Sequence, residues 1–154
     1  MAIFYNTPQF PCLQCLHNYS SEGGIMGKEL FQSFENGTLA HAGKQTDLCC
    51  CSWNKHKDFA GVYLKNIVTA DQTGGLFTCH LVRIDPNHKI GMHTHPNSIE
   101  LHEVIQGCGI CLIGQEKIPY ASGTMAIIAC NAPHEVLAGE EGLCLFAKFI
   151  TAPA

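Results

Sequence analysis

An all-β domain, sandwich or barrel, is the fold class this sequence predicts. From Gly61 onward, short runs rich in β-branched and aromatic residues are separated by Gly, Pro, Asn and Asp every 8–12 residues or so. The last run alternates, with Leu143, Leu145, Ala147 and Phe149 on one face and Cys144, Phe146, Lys148 and Ile150 on the other. Apolar residues make up 46% of the 154 and charged residues only 14%, which suits a packed body with few solvated helices.

Taken in order, residues 1–20 read as irregular and turn-rich, with Pro8, Pro11 and the pair Cys12-Leu13-Gln14-Cys15. Residues 21–36 hold a short helix: Leu30, Phe31 and Phe34 fall at helical spacing and Asn36-Gly37 ends it. The tract from Thr38 to Lys57 shows no clear period, with Trp53 expected to pack over one end of the body. Nine strands then follow: 62–69, 76–84, 89–94, 99–106, 109–113, 116–118, 125–129, 134–138 and 143–150. The organisation expected is an N-terminal extension, residues 1–60, packing on a β-barrel, residues 61–154. Both faces of the last strand are largely apolar. The N-terminal segment or a partner chain should therefore cover its second side, and a homodimer sharing a sheet would protect exposed edges.

A formal charge of −4 leaves no basic footprint, so nucleic acid is not an expected partner. Apolar runs such as Met125 to Cys130 are far shorter than the roughly 20 residues that span a bilayer. The first residues lack a basic stretch followed by an apolar one, so no secretory signal is read and a cytoplasmic location is expected. Ten cysteines then read as free thiols in a reducing compartment. Cys12 and Cys15 could be half of a zinc knuckle or a redox motif, with Cys49-Cys50-Cys51 as the other half. Three consecutive cysteines on a strand alternate faces and could not all ligate, so buried or incidental free cysteines are the plainer reading.

The chemistry gathers at His93-Thr94-His95-Pro96-Asn97-Ser98-Ile99-Glu100. Residues i and i+2 of a strand share a face, so His93 and His95 aim two imidazoles at one point. Glu100 returns to that point after the Pro96-Asn97 turn. Two histidines and a carboxylate leave coordination positions open, as a reactive or ligand-binding metal centre requires. His102 shares the strand face of Glu100. It is a candidate catalytic acid/base, a group that orients the ligand carboxylate, or a histidine hydrogen-bonded near the barrel mouth. Cys79, Arg83 and Cys108 could line or flank the cavity, but register near the turns leaves their faces open; Arg83, if inside, would clamp a substrate carboxylate. His17, His41, His56, His80 and His88 have no spacing partner and read as surface or packing.

His93-x-His95-x4-Glu100-x6-Gly107 resembles the first signature of the cupin superfamily, G-x5-H-x-H-x3/4-E-x6-G, with Asn87 where the opening Gly belongs. The second signature, G-x5-P-x-G-x2-H-x3-N, is similar to the run from Gly123, with Ala129 for Pro, Asn131 for Gly, His134 in register and Ala138 for Asn. Asn is the non-glycine residue that best tolerates positive φ, so Asn87 and Asn131 respect the turn geometry. The resemblance, to a small single-domain cupin of the "cupin 2" type, spans roughly Gly61 to Ile150. It implies a double-stranded β-helix, or jelly-roll, barrel. It also implies His93, His95, Glu100 and His134 as ligands of one divalent transition metal per chain: Fe, Mn, Ni, Co or Zn.

With that resemblance comes an expected activity: a metal-dependent enzyme on a small organic acid or enol-type substrate, of the dioxygenase, decarboxylase, isomerase or lyase class. The alternative is a small-molecule binding or sensing module acting with a regulatory partner. The layout from Trp53 through Phe59-Ala60-Gly61-Val62 to Asp85-Pro86 is similar to cupin modules attached to regulators. Charged groups converging on the metal would favour catalysis; a mostly apolar lining would favour binding.

Overall fold

The computed structural model describes residues 21–152. The Cys12/Cys15 pair and His17 lie outside the described residues. Helix α1 (Ser21–Glu35) is followed by a hairpin of β1 (Thr38–His41) and β2 (Lys44–Asp47). Its two loop residues, Ala42 and Gly43, have φ of 47° and 77°, the left-handed pair whose twist matches that of the flanking strands. A single 3-10 turn (Leu48–Cys50) leads to β3 (Trp53–Lys55) and β4 (Val62–Val68). Next comes a one-turn helix α2 (Ala70–Thr73), with a Thr69/Gln72 capping box, and then β5 (Phe77–Ile84). The chain continues through β6 (Lys89–His93), β7 (Ser98–Ile113), β8 (Glu116–Ala121), β9 (Met125–Ile128) and β10 (His134–Thr151).

The fold is an all-β barrel carrying a helical N-terminal part, and it hangs on one antiparallel ladder. β7 and β10 pair from Ile113↔His134 out to Ser98↔Thr151. Near its His134 end, β10 is flanked by β6 and by the second half of β7, with β8 beyond. Past residue 143, β10 is flanked by β5 and by the first half of β7, with β4 and β3 beyond β5, and β9 beyond β7. The two long strands therefore serve both walls. Between them sits the main core, which includes Val62, Val82, Ile84, Val104, Val136, Leu143 and Leu145.

Two expected strand pairs are each a single strand. The runs 99–106 and 109–113 are joined in β7, and 134–138 and 143–150 in β10. The glycines read as turns instead mark the bend where the ladder shifts register between Ala138 and Leu143. Gly107 has φ of 82°, and a Cβ there would sit 2.1 Å from the Gly142 carbonyl oxygen, so no side chain fits at this crossing. The cysteine triplet also differs from its reading. Cys49 and Cys50 lie in the 3-10 turn rather than on a strand, their thiols 3.8 Å apart.

Helix α1 covers the second face of β10. Phe31 is buried in a cluster with Leu81, Ile105 and Cys144, and Phe34 meets Phe146 edge-on at 4.9 Å. Burying an aromatic side chain of this kind contributes about 2 kcal/mol. The helix C-terminus is tied down by polar bonds: Trp53 Nε1 donates to Glu35 Oε1 at 2.7 Å, and Lys65 Nζ donates to the Glu35 carbonyl at 2.8 Å. A buried cation on a last-turn carbonyl suits the negative end of the helix. Trp53 packs beneath α1 against Phe31, with ring centroids 6.1 Å apart.

Candidate metal centre

Two asparagine turns deliver the site. Asn87 precedes β6 with φ of 59°, and Asn131 precedes β10 with φ of 61°, so both adopt the left-handed conformation that their replacement of glycine requires. The Asn131 N–H donates to the His95 carbonyl at 3.0 Å, tying the β6–β7 turn to the entry of β10. His93 ends β6, and His134 begins β10 directly opposite it. His95 lies just beyond the strand, and Glu100 enters from the start of β7.

The structure brings these four side chains together: one ligand atom from each of His93, His95, Glu100 and His134 lies within 4.8 Å of the others. Their protonation is set from behind. A carbonyl can only accept, so His93 Nδ1 donates to Gly91 O at 2.8 Å and His134 Nδ1 donates to Ala132 O at 3.0 Å. In the neutral rings the Nε2 lone pairs therefore face inward, the tautomer a metal ligand needs.

The inward atoms do not satisfy one another. His134 Nε2 and His95 Nε2 lie 2.9 and 3.2 Å from Glu100 Oε2, yet all three buried atoms are without a hydrogen-bond partner among the described residues. They are close but not aligned, converging on a common point rather than on each other. Buried polar groups left in this state are costly, and a shared cation resolves them together. This donor set fits one divalent transition metal.

Burial pushes the Glu100 carboxyl up, but the imidazoles of His102, His134 and His95 more than reverse this and hold it well below the ordinary carboxylate range. Burial pulls His134 down, and Glu100 with the Ala132 carbonyl more than offsets it, so its net shift is upward. His93 is shifted down, chiefly by burial.

His102 stands behind the carboxylate rather than in front of it. It is 2% exposed, and its Nε2–H donates to Glu100 Oε1 at 2.8 Å. Its Nδ1 then accepts from the Tyr120 hydroxyl at 2.9 Å, and burial pushes the Tyr120 phenol up so that it stays a donor. Both ring nitrogens are engaged. Tyr120 went unread in the sequence, although its inward position on β8, alternating with exposed Pro119 and Ala121, is the signal that would have found it.

The other candidates do not reach the centre. Arg83 lies on the outer face, its guanidinium 4.7 Å from the Tyr63 ring centroid and 5.2 Å from that of Trp53. Cys79 is buried under the α1 side of the sheet, its thiol pushed up to about 11 by burial, and Cys108 is exposed. His41 and His88 are exposed. Two histidines read as packing come nearer: His56 lies against Phe59, which neighbours His93, and His80 lies against Phe149, which neighbours His95.

Comparison with known proteins follows the same line. A family profile described as "Cupin domain" matches residues 80–147. No curated protein matches the chain. Among solved structures, a predicted oxalate decarboxylase from Thermotoga maritima superposes with a TM-score of 0.63 at 14% identity, covering 68% of this chain and 96% of its own. A cupin-2 domain from Rhodospirillum rubrum gives 0.61 at 13% identity, with 75% and 80% covered. The polyketide cyclase RemF from Streptomyces resistomycificus gives 0.62 at 13% identity, with 71% and 80% covered. At these identities the likeness is one of fold.

Proposed function

We propose, for a chain whose residues 80–147 form a domain of the cupin superfamily, that it holds one divalent transition-metal ion and uses it on a small organic acid or enol-type molecule. The observation that carries this reading is the trio of buried, unpartnered atoms, Glu100 Oε2, His95 Nε2 and His134 Nε2. His93, His95, Glu100 and His134 would hold the ion. When bound, it would supply Lewis acidity or oxygen activation, the chemistry common to dioxygenases, decarboxylases, isomerases and lyases of this kind. The protein's share is preorganisation. Backbone carbonyls orient His93 and His134, and the Tyr120–His102 pair fixes Oε1 of Glu100, leaving Oε2 for the ion. On this reading His102 is a positioning residue.

One observation favours the second reading, a binding or sensing module. Of the two groups that would have marked catalysis, Arg83 is outside and His102 is buried with both ring nitrogens engaged by Glu100 and Tyr120. Two further elements belong to the proposal. The eight free thiols among the described residues fit a reducing compartment, the cytoplasm. Exposed Leu76, Met125 and Ile127 fit a homodimer; none of the described helices is long and apolar enough to cross a membrane.

The test is elemental analysis of protein purified without oxygen, beside His95→Ala, followed by a screen of small organic acids for turnover and binding. One ion per chain, lost in the variant, with turnover of an acid supports the enzyme. Stoichiometric metal with binding and no turnover selects the sensing module. Full metal retained by His95→Ala would sink the ligand assignment.

A further inference from the structure

A second polar group shares the inner face with the metal ligands. Phe149 on β10 pairs with Glu100 on one side and with Thr78 on the other. One step along β5, His80 pairs with Asn66 of β4. These three side chains are linked: His80 Nδ1 donates to Asn66 Oδ1 at 2.9 Å, and the Thr78 hydroxyl donates to His80 Nε2 at 3.1 Å. Among the described residues the Asn66 amide N–H groups, on an exposed side chain, have no partner. The Phe149 ring bridges the two groups, 4.8 Å from the His95 ring and 5.6 Å from that of His80. Glu100 and Thr78 are two strands apart, which at a strand spacing near 4.8 Å is about 10 Å.

Charge limits what can lie across that span. All nine Lys and Arg of the chain fall within the described residues. Arg83 stacks on Tyr63 and Trp53, Lys65 donates to the Glu35 carbonyl, and Lys89 and Lys148 pair with Glu135 and Glu103. The other five, Lys28, Lys44, Lys55, Lys57 and Lys117, are exposed on the helix, the hairpin, a loop or outward strand positions. No cationic side chain is therefore left to meet a ligand's carboxylate. A divalent ion beside one carboxylate and three neutral imidazoles carries a net charge of +1, complemented by one negative charge on the ligand.

We propose that Asn66, Thr78 and His80 form the distal half of the ligand site. The ligand is a small molecule carrying no more than one negative charge, placed at the metal, with an uncharged hydrogen-bonding group such as an amide, hydroxyl or carbonyl about 10 Å away. A second carboxylate at that distance gains no affinity, because no cation stands there to pair with it. This rests on the metal reading above and narrows it from organic acids in general to neutral or singly charged molecules.

Cobalt(II)-loaded protein tests it with three probes: benzohydroxamate, 4-carbamoylbenzohydroxamate and 4-carboxybenzohydroxamate, which share a singly charged chelating head and differ at the far end. Calorimetry should show the carbamoyl probe binding about tenfold more tightly than benzohydroxamate, the effect of one or two net hydrogen bonds, and the carboxy probe binding no more tightly. Asn66→Ala and His80→Ala should each reduce the carbamoyl advantage to about twofold or less, with cobalt content and benzohydroxamate affinity unchanged. Asn66 is exposed, so its truncation spares the core even if His80→Ala disturbs the barrel. Equal affinities for all three probes, a preference for the carboxy probe, or an undiminished carbamoyl advantage in Asn66→Ala would overturn this proposal alone. Failure to retain cobalt, or to bind benzohydroxamate at all, would overturn the metal reading and this proposal with it.

Discussion

His102 donates its Nε2–H to Oε1 of Glu100 at 2.8 Å, while Oε2 of the same carboxylate has no hydrogen-bond partner. The two oxygens have divided their work. Removing the donor frees the carboxylate to rotate, so His102→Phe should weaken metal affinity by about 10- to 100-fold. Tyr120→Phe, which only removes the bond behind His102, should cost less than tenfold in affinity and about 1 kcal/mol in stability. His102→Gln should recover part of the loss, since an amide N–H can replace the donor. Competition against a chromogenic chelator measures all three, and equal affinity in His102→Phe and wild type would show that the bond does not position the ligand.

Metal uptake should release a proton. In the metal-free protein, Glu100 and the Ala132 carbonyl together outweigh burial and raise His134 above its ordinary 6.5, so this imidazole holds its proton later into neutral pH. Glu100 is already ionised there, and burial already keeps His93 neutral. Affinity should therefore rise with pH by up to about tenfold per unit while one proton is displaced, and level off above the raised value. Calorimetry in buffers of different ionisation enthalpy counts the protons, and a pH-independent affinity is the contrary result.

The thiols should divide by location. Cys49, Cys50 and Cys108 are exposed, whereas Cys79 and Cys144 are buried, with burial raising their thiols to about 11 and about 12 from an ordinary 9.0. Alkylation of the reduced native protein should modify the exposed group first and leave the metal in place. A raised acid is protonated longer in the folded state than in the unfolded one. Its contribution is thus complete below pH 9 and is lost as pH climbs through 11 and 12, by a few kcal/mol in all. Denaturant melts from pH 8 to 11 would show the decline. A flat profile, or metal loss on alkylation without unfolding, would contradict the assignment.

Backbone conformation sets a third class of substitution apart. Gly107→Ala meets the Gly142 carbonyl and a φ of 82°, so it should destabilise by about 3 kcal/mol or more. Asn131→Gly keeps the φ of 61° and should change stability by less than about 0.5 kcal/mol, whereas Asn131→Ala should cost about 1 kcal/mol. Thermal melts of the three rank them, and equal melting points for the two Asn131 variants would refute the strain argument.

Much of the site was legible because its spacing is local. His93, His95 and Glu100 lie within eight residues, and the asparagines at 87 and 131 announced left-handed turns that the backbone contains. The apolar second face of β10 calls for a cover, from the N-terminal segment or from a partner, and Phe31 of α1 packs there with Cys144 and Phe146. What the sequence hid is long-range or ambiguous by nature. Gly107 looked like a turn, yet it is a bend inside a 16-residue strand, since a glycine marks both equally well. Arg83 could not be assigned to a face until β5 was in register with β4 and β10. Tyr120, Asn66, Thr78 and His80 carry no motif and gain meaning only from their neighbours across strands.

The β7–β10 ladder also sets two of the four candidate ligands far apart along one pairing register. Its inner end joins Ile113 to His134 and its outer end joins Ser98 to Thr151, so His134 and Glu100 belong to opposite ends of one zipper. Closure that starts where the connecting chain is shortest, at Ile113 and His134, reaches Glu100 and Phe149 late. Partly zipped intermediates would then hold His134 opposite His93 without the carboxylate that completes the quartet. Metal capture would become a report that the barrel has closed, arriving on the slow timescale of non-local β pairing rather than seeding it.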